Sequence, residues 1–123
     1  MKTDFKQEIF DKVAKHLLTQ KVRCVDKKGR CVYFDVETNM KCAAGCLIPD
    51  RDYSEYFEKG AVDYYSVNKI TNFFKDSGYS KNEIELVHKL QELHDWVRPE
   101  TWKKSLRLIA KEHSLTSDVL KSF

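Results

Sequence analysis

Apolar residues recur every three or four positions over much of the chain, a period that predicts a protein built mainly from helices. Phe5, Ile9, Val13 and Leu17 repeat every fourth residue, with Phe10, Ala14 and Leu18 beside them. That pattern predicts a helix over 4–19, capped by Thr3 or Asp4, with His16 at the edge of the stripe. A second helix is expected over 66–75, capped by Ser66, burying Val67, Ile70, Phe73 and Phe74 and stopped by Ser77-Gly78. Ser80-Lys81-Asn82-Glu83 reads as a capping box, in which serine and glutamate side chains each satisfy a backbone N–H at the helix start. It opens a helix over 81–97 whose stripe is Leu86, Leu90, Leu93 and Val97, supported by Ile84 and Val87. Pro99 suits the first turn of a helix over 99–113, with Trp102, Leu106, Ile109 and Ala110 on its buried side. Ser117–Leu120 predicts a short tail helix.

The period changes over 22–35. Val22, Val25, Val32, Tyr33 and Phe34 favour strands, and Lys27-Lys28-Gly29-Arg30 punctuates them as a turn. Glu37-Thr38-Asn39-Met40 supplies a second break. A small antiparallel element or hairpin is expected here. Lys41–Pro49 is small and apolar, and predicts one or two helical turns stopped by proline. Gly45 within it implies that another backbone approaches closely. Residues 52–58 suggest a helical turn or loop closed by Gly60. The fold class is therefore α+β, mostly α: a helical domain with a small antiparallel β element after the first helix, forming a single domain over 1–123.

Composition agrees. A chain of 123 residues with 41% hydrophobic and 33% charged residues affords one core and is globular. Four glycines and two prolines are too few for a turn-rich all-β fold. The net charge of +3 is interleaved, with 12 basic and 10 acidic side chains in 1–60 and 10 and 9 in 61–123. A dedicated nucleic-acid binder shows a broader basic face. The local exception is Lys21, Arg23, Lys27, Lys28 and Arg30, opposed by Asp26, where Lys27, Lys28 and Arg30 are candidate phosphate contacts. No stretch approaches the ~20 apolar residues of a membrane span. The charged start at Met1-Lys2-Thr3-Asp4 is unlike a signal peptide. A cytoplasmic, reducing setting is therefore expected, with free thiols rather than structural disulfides.

Cys24, Cys31, Cys42 and Cys46 are spaced C-x6-C-x10-C-x3-C. Four thiolates suit tetrahedral zinc, but knuckle-forming C-x2-C pairs are missing, so small buried hydrophobes are the favoured use and no cofactor is expected. In a reactive-thiol reading, Cys42 lies near a helix start whose dipole lowers its pKa, and His88, His94 and His113 are the candidate bases. His94 shares a face with Leu90 and Val97, as a core histidine does. Asp95 is its chain neighbour, about 100° around the helix, and is not expected to orient it. Cys24, Cys31, Cys42, Cys46 and His94 thus form the candidate thiol or metal set. Asp50 and Asp52, like Glu83 and Glu85, suit solvated or capping positions rather than acid–base chemistry. No P-loop, GxGxxG or HExxH pattern occurs. Residues 108–120 suggest part of a helix-turn-helix, with few basic residues to read a groove. Tyr53, Tyr56, Tyr64 and Tyr65, with Tyr79, are candidate interface residues, since tyrosine pairs an apolar body with a polar tip.

Three segments carry a resemblance: Arg30-Cys31-Val32-Tyr33, Lys41-Cys42-Ala43-Ala44-Gly45-Cys46-Leu47-Ile48-Pro49-Asp50, and Leu90-Gln91-Glu92-Leu93-His94-Asp95. Together they are similar to a group of small, uncharacterised proteins of bacteriophages and prophage regions, which also start with a helix like Glu8–Ala14 and end with one like that at Trp102. The resemblance implies a phage origin and action inside an infected cell on a host protein or a nucleotide signal, in host takeover or anti-defence. The expectation is a non-enzymatic binding protein. The alternatives are a cysteine-centred site, either structural zinc or a reactive thiol, and a nucleic-acid-binding module using residues 21–30 and the C-terminal helices.

Overall fold

The structure, a computed structural model, describes residues 5–123, so the caps expected at Thr3 and Asp4 lie outside the described residues. The first helix, α1, runs Lys6–Gln20 and buries Ile9, Phe10, Val13, Ala14 and Leu17, the face its period foretold. It ends at Lys21, whose left-handed φ of 67° lets its N–H reach back to the Leu17 carbonyl. After the β element come α2 (Lys69–Asp76), α3 (Lys81–Trp96) and α4 (Trp102–Glu112). α1 packs on α3 and α4, and α3 packs on α2 and α4. Trp102, Phe10, Phe74, Leu90 and Leu106 are fully enclosed between them. Burying each such side chain stabilises the fold by about 1.5–3 kcal/mol relative to exposure. The fold is α+β, mostly α, with a two-stranded antiparallel sheet after the first helix. No helix among the described residues is long and apolar enough to cross a membrane.

The local signals act where they were read, with small shifts. The Ser80–Glu83 capping box is present with both of its bonds. Pro99 opens a single 3₁₀ turn, Pro99–Thr101, that leads into α4. α2 is capped by Asn68, which accepts from the Thr71 N–H, and not by Ser66. Ser66 is drawn instead into the preceding turn, where its hydroxyl donates to Asp63. The tail is a 3₁₀ turn, Asp118–Ser122, which is too short to form the second helix of a helix-turn-helix.

The β element is smaller than the run of β-formers suggested. β1 (Phe34–Asp35) pairs with β2 (Met40–Lys41), and a separate bridge joins Val25 to Cys31 across the Lys27–Arg30 turn. The Glu58 carboxylate stands in for a further strand. It accepts the Tyr33 N–H at 3.0 Å, that of Phe34 at 3.4 Å and the Tyr53 hydroxyl at 2.6 Å. Backbone donors that would otherwise need a ladder are thus satisfied by one side chain. Gly45 opens a 3₁₀ turn, Gly45–Leu47, directly against this strand region. A Cβ placed on it would lie 1.9 Å from the Tyr33 carbonyl oxygen, so only glycine fits, as its position implied.

Candidate functional site

The residues with the richest chemistry meet where the last turns of α3 face the loop from Arg23 to Cys31. His94 is fully buried, and its ring lies nearly parallel to the Trp102 indole, with centroids 5.8 Å apart. The Cys24 N–H meets His94 Nε2 at 2.9 Å. A backbone N–H only donates, so Nε2 contributes its lone pair and the proton of the neutral ring sits on Nδ1. Nδ1 lies 2.7 Å from Asp95 Oδ1 and donates to it. The expected independence of His94 and Asp95 is therefore corrected. Helix geometry sets the Cα–Cβ directions of neighbours, but the imidazole and the carboxylate extend far enough to turn toward each other. Asp95 Oδ1 also accepts from Gln91 Nε2 at 2.9 Å, and Gln91 Oε1 accepts the Ala44 N–H at 2.9 Å. Arg23 donates to the carbonyls of His94 and Val97, and Trp102 Nε1 donates to Val97 as well. These bonds satisfy carbonyls that the end of a helix leaves without intrahelical partners.

Cys31 lies at the rim of this network, its sulfur within 4.8 Å of the Asp95 carboxylate. Burial, then the Asp95 charge, pushes the thiol pKa up, partly offset by Arg23. The donor atoms of Cys31, His94 and Asp95 lie within 4.8 Å of one another, the one such three-residue group among the described residues. As held, however, the imidazole offers this cluster no lone pair, since Nδ1 carries the proton and Nε2 takes the Cys24 N–H. Metal-bound histidines usually donate their second N–H instead. Ligation by His94 would require the Cys24 bond to break. Nucleophilic chemistry fits no better. The imidazole already donates its Nδ1 proton to Asp95, and a carboxylate beside a thiol disfavours the thiolate.

The other three cysteines lie apart from this cluster. Cys24 is buried, its thiol donating to the Met40 carbonyl at 3.1 Å, and burial pushes its pKa up to about 12. Cys46 donates to the Ala43 carbonyl at 3.1 Å and is likewise pushed up to about 12 by burial. Cys42 accepts the Gly45 N–H at 3.3 Å, and burial raises its pKa well above the ordinary thiol value. The lowering expected from a helix dipole is thus corrected, because Cys42 precedes a single 3₁₀ turn and desolvation dominates. His88 Nδ1 meets the Val62 carbonyl at 2.7 Å and its Nε2 meets Glu92 at 3.1 Å, remote in role from any thiol.

Two cations of the basic loop are paired with carboxylates. Arg30 pairs with Asp26 at 2.9 Å and Lys27 with Glu37 at 3.0 Å. Asp26 also accepts the backbone N–H groups of Lys28 and Arg30, which fixes the turn. Lys27 and Arg30 are therefore already paired with acids, and the phosphate reading draws no support from this loop. Among the tyrosines, Tyr53 belongs to the core edge, bound to Glu58 and packed edge-on against Phe34 and Phe57. Tyr64 is half-buried, whereas Tyr56 and Tyr65 are exposed.

Two exposed apolar residues were missed by pattern reading. Trp96 is 82% exposed and Leu108 is 56% exposed. They border a groove of about 370 Å³ between α3 and α4, floored by Leu93, Val97 and Ile109 and rimmed by Lys89 and Glu92. The signal was available: Trp96 falls off the Leu86–Leu90–Leu93–Val97 stripe, and Leu108 falls off the Trp102–Leu106–Ile109 stripe. Compared with protein-family models, curated proteins and solved structures, the chain matches none.

Proposed function

We propose that this chain is a non-enzymatic interaction protein that docks on another protein through the groove between α3 and α4. In keeping with the phage resemblance, that partner is a host factor met in the cytoplasm of an infected bacterium. The observation that carries this reading is the exposed Trp96–Leu108 pair on a concave apolar floor. Tryptophan is enriched among residues that dominate binding energy, and it does so when a partner encloses it. The polar groups support the same reading from the other side. His94, Gln91, Glu58 and Glu83 are all occupied in bonds that hold backbone segments together. No buried side-chain polar atom among the described residues lacks a partner.

The test compares wild type with a W96A/L108A double variant. Each immobilised protein is exposed to bacterial lysate, retained proteins are identified, and one is purified for a binding titration followed by calorimetry. The expected result is a saturable complex with the wild type and binding about 30-fold weaker or more with the double variant. Both side chains are exposed, so the melting temperature should stay close to wild type. Equal binding by the two proteins, or no saturable partner for the wild type, would overturn the proposal.

A further inference from the structure

On another face, the 63–66 turn presents Tyr64 and Tyr65 with their rings 5.3 Å apart and nearly perpendicular. The turn is firmly held. Asp63 accepts the Tyr65 and Ser66 N–H groups, and its own N–H donates to the hydroxyl of the fully buried Thr71. Tyr64 is half-buried, while Tyr65 is 74% exposed and offers a free aromatic surface. Two ammonium groups approach the same pair. Lys75 Nζ, at the end of α2, is 4.5 Å from the Tyr64 ring centre. Lys81 Nζ, at the start of α3, is 5.3 Å from that of Tyr65 and 5.8 Å from that of Tyr64. Neither lysine is in a salt bridge with a carboxylate among the described residues, in contrast to Lys27 and Arg30. The helix ends that carry them are joined by the short Ser77–Ser80 turn, which fixes their separation.

We propose that Tyr64, Tyr65, Lys75 and Lys81 form a binding site for a nucleotide unit, a planar base stacked on Tyr65 with its phosphate held between the two lysines. Aromatic rings flanked by unpaired cations are the elements that bind single-stranded nucleotides without reading sequence. A duplex hides its base faces and is not the ligand. An acidic peptide would satisfy the lysines and leave the Tyr65 face unused. The site is separate from the α3–α4 groove and stands or falls independently of it.

Titrations of the full chain with dTMP, thymidine, inorganic phosphate and oligo(dT), followed by NMR shifts of residues 63–66, 75 and 81, test the proposal. dTMP should bind more tightly than either thymidine or phosphate, because it engages both parts of the site. Y65A should weaken dTMP binding about 5- to 150-fold, the range for losing one stacked base. K75E/K81E should remove the preference for dTMP over thymidine. If oligo(dT) binds more tightly than dTMP, with a log–log salt slope near about −1.4 for two phosphate contacts, the natural source is a strand. Equal affinity identifies the free nucleotide. Phosphate binding as tightly as dTMP, unchanged binding by a folded Y65A variant, or no shifts at millimolar dTMP would overturn it.

Discussion

The Cys24 N–H donates into Nε2 of His94, and that single contact sets much of the chemistry around it. It fixes the tautomer, sends the Nδ1 proton to Asp95, and keeps the ring from serving a metal or a thiol without rearrangement. His94 therefore acts as a clamp between α3 and the loop that follows α1. Replacing it by phenylalanine preserves size and stacking on Trp102 but orphans a buried N–H. The expected loss of stability for H94F is about 1–3 kcal/mol, read from urea unfolding. A variant as stable as wild type would show that the clamp is dispensable. Thiol titration with a disulfide reagent addresses Cys31 in the same way. The native protein should release one accessible thiol, Cys31, more slowly than free cysteine, because burial and Asp95 raise its pKa. Cys24 and Cys42 are buried and should react only after unfolding, and half-buried Cys46 more slowly than Cys31. D95N removes the charge and should accelerate Cys31. A thiol other than Cys31 and Cys46 that reacts in the native protein would contradict the burial of Cys24 and Cys42.

At the scale of elements, the contact between the Gly45 turn and the Tyr33 strand region is the most exacting. G45A would place a methyl group 1.9 Å from a backbone oxygen, which cannot swing aside as a side chain can. The expected cost is about 3 kcal/mol or more, measured by thermal or urea unfolding. A near-neutral G45A would mean that the turn and the strand shift apart freely. How much of the elements was legible depended on how local their causes were. The helix stripes, the capping box at Ser80–Glu83 and the close approach at Gly45 are written in short windows, and they stand except at Val67, which was expected inside but is 93% exposed because α2 starts after it, at Lys69. The shortness of the sheet was not legible, because it arises from Glu58, over twenty residues away, taking the Tyr33 and Phe34 donors. The Asn68 cap was missed because Ser66 is diverted by Asp63, a competition that only the folded turn reveals.

For the molecule as a whole, two half-buried histidines shape the response to acid. His16 and His113 both have pKa values lowered below the ordinary histidine value, chiefly by burial. The Lys41 and Lys12 charges add to the lowering of His16, against its bond to the Lys41 carbonyl. Around His113, Lys6 and Lys89 lower the pKa, while Glu112 and Glu85 raise it. The unfolded chain therefore binds more protons than the folded one between the folded values and about 6.5. Stability should rise with pH through that window and fall on acidification below about 6.5. The urea midpoint should drop between neutral and mildly acidic pH, and H16Q should show a shallower drop. A flat wild-type profile would count against this coupling. Asp26, whose pKa is lowered chiefly by the Arg30 backbone N–H, adds a separate loss in the lower carboxylate range.

The sequence by itself determined the helices, their buried faces, the capping box and the need for glycine at position 45, because each depends on residues within a turn or two of one another. It also marked Cys31, His94 and the tyrosines as residues to watch. Only the tertiary structure decided what they do. Hydrogen-bond direction closed the imidazole of His94, and desolvation raised the Cys42 thiol that a helix dipole was expected to lower. The packing of α3 against α4 left Trp96 outside, and the joining of α2 to α3 brought Lys75 and Lys81 to one pair of rings. Such outcomes turn on which atoms from distant segments arrive together and with what protons, which a linear pattern does not encode.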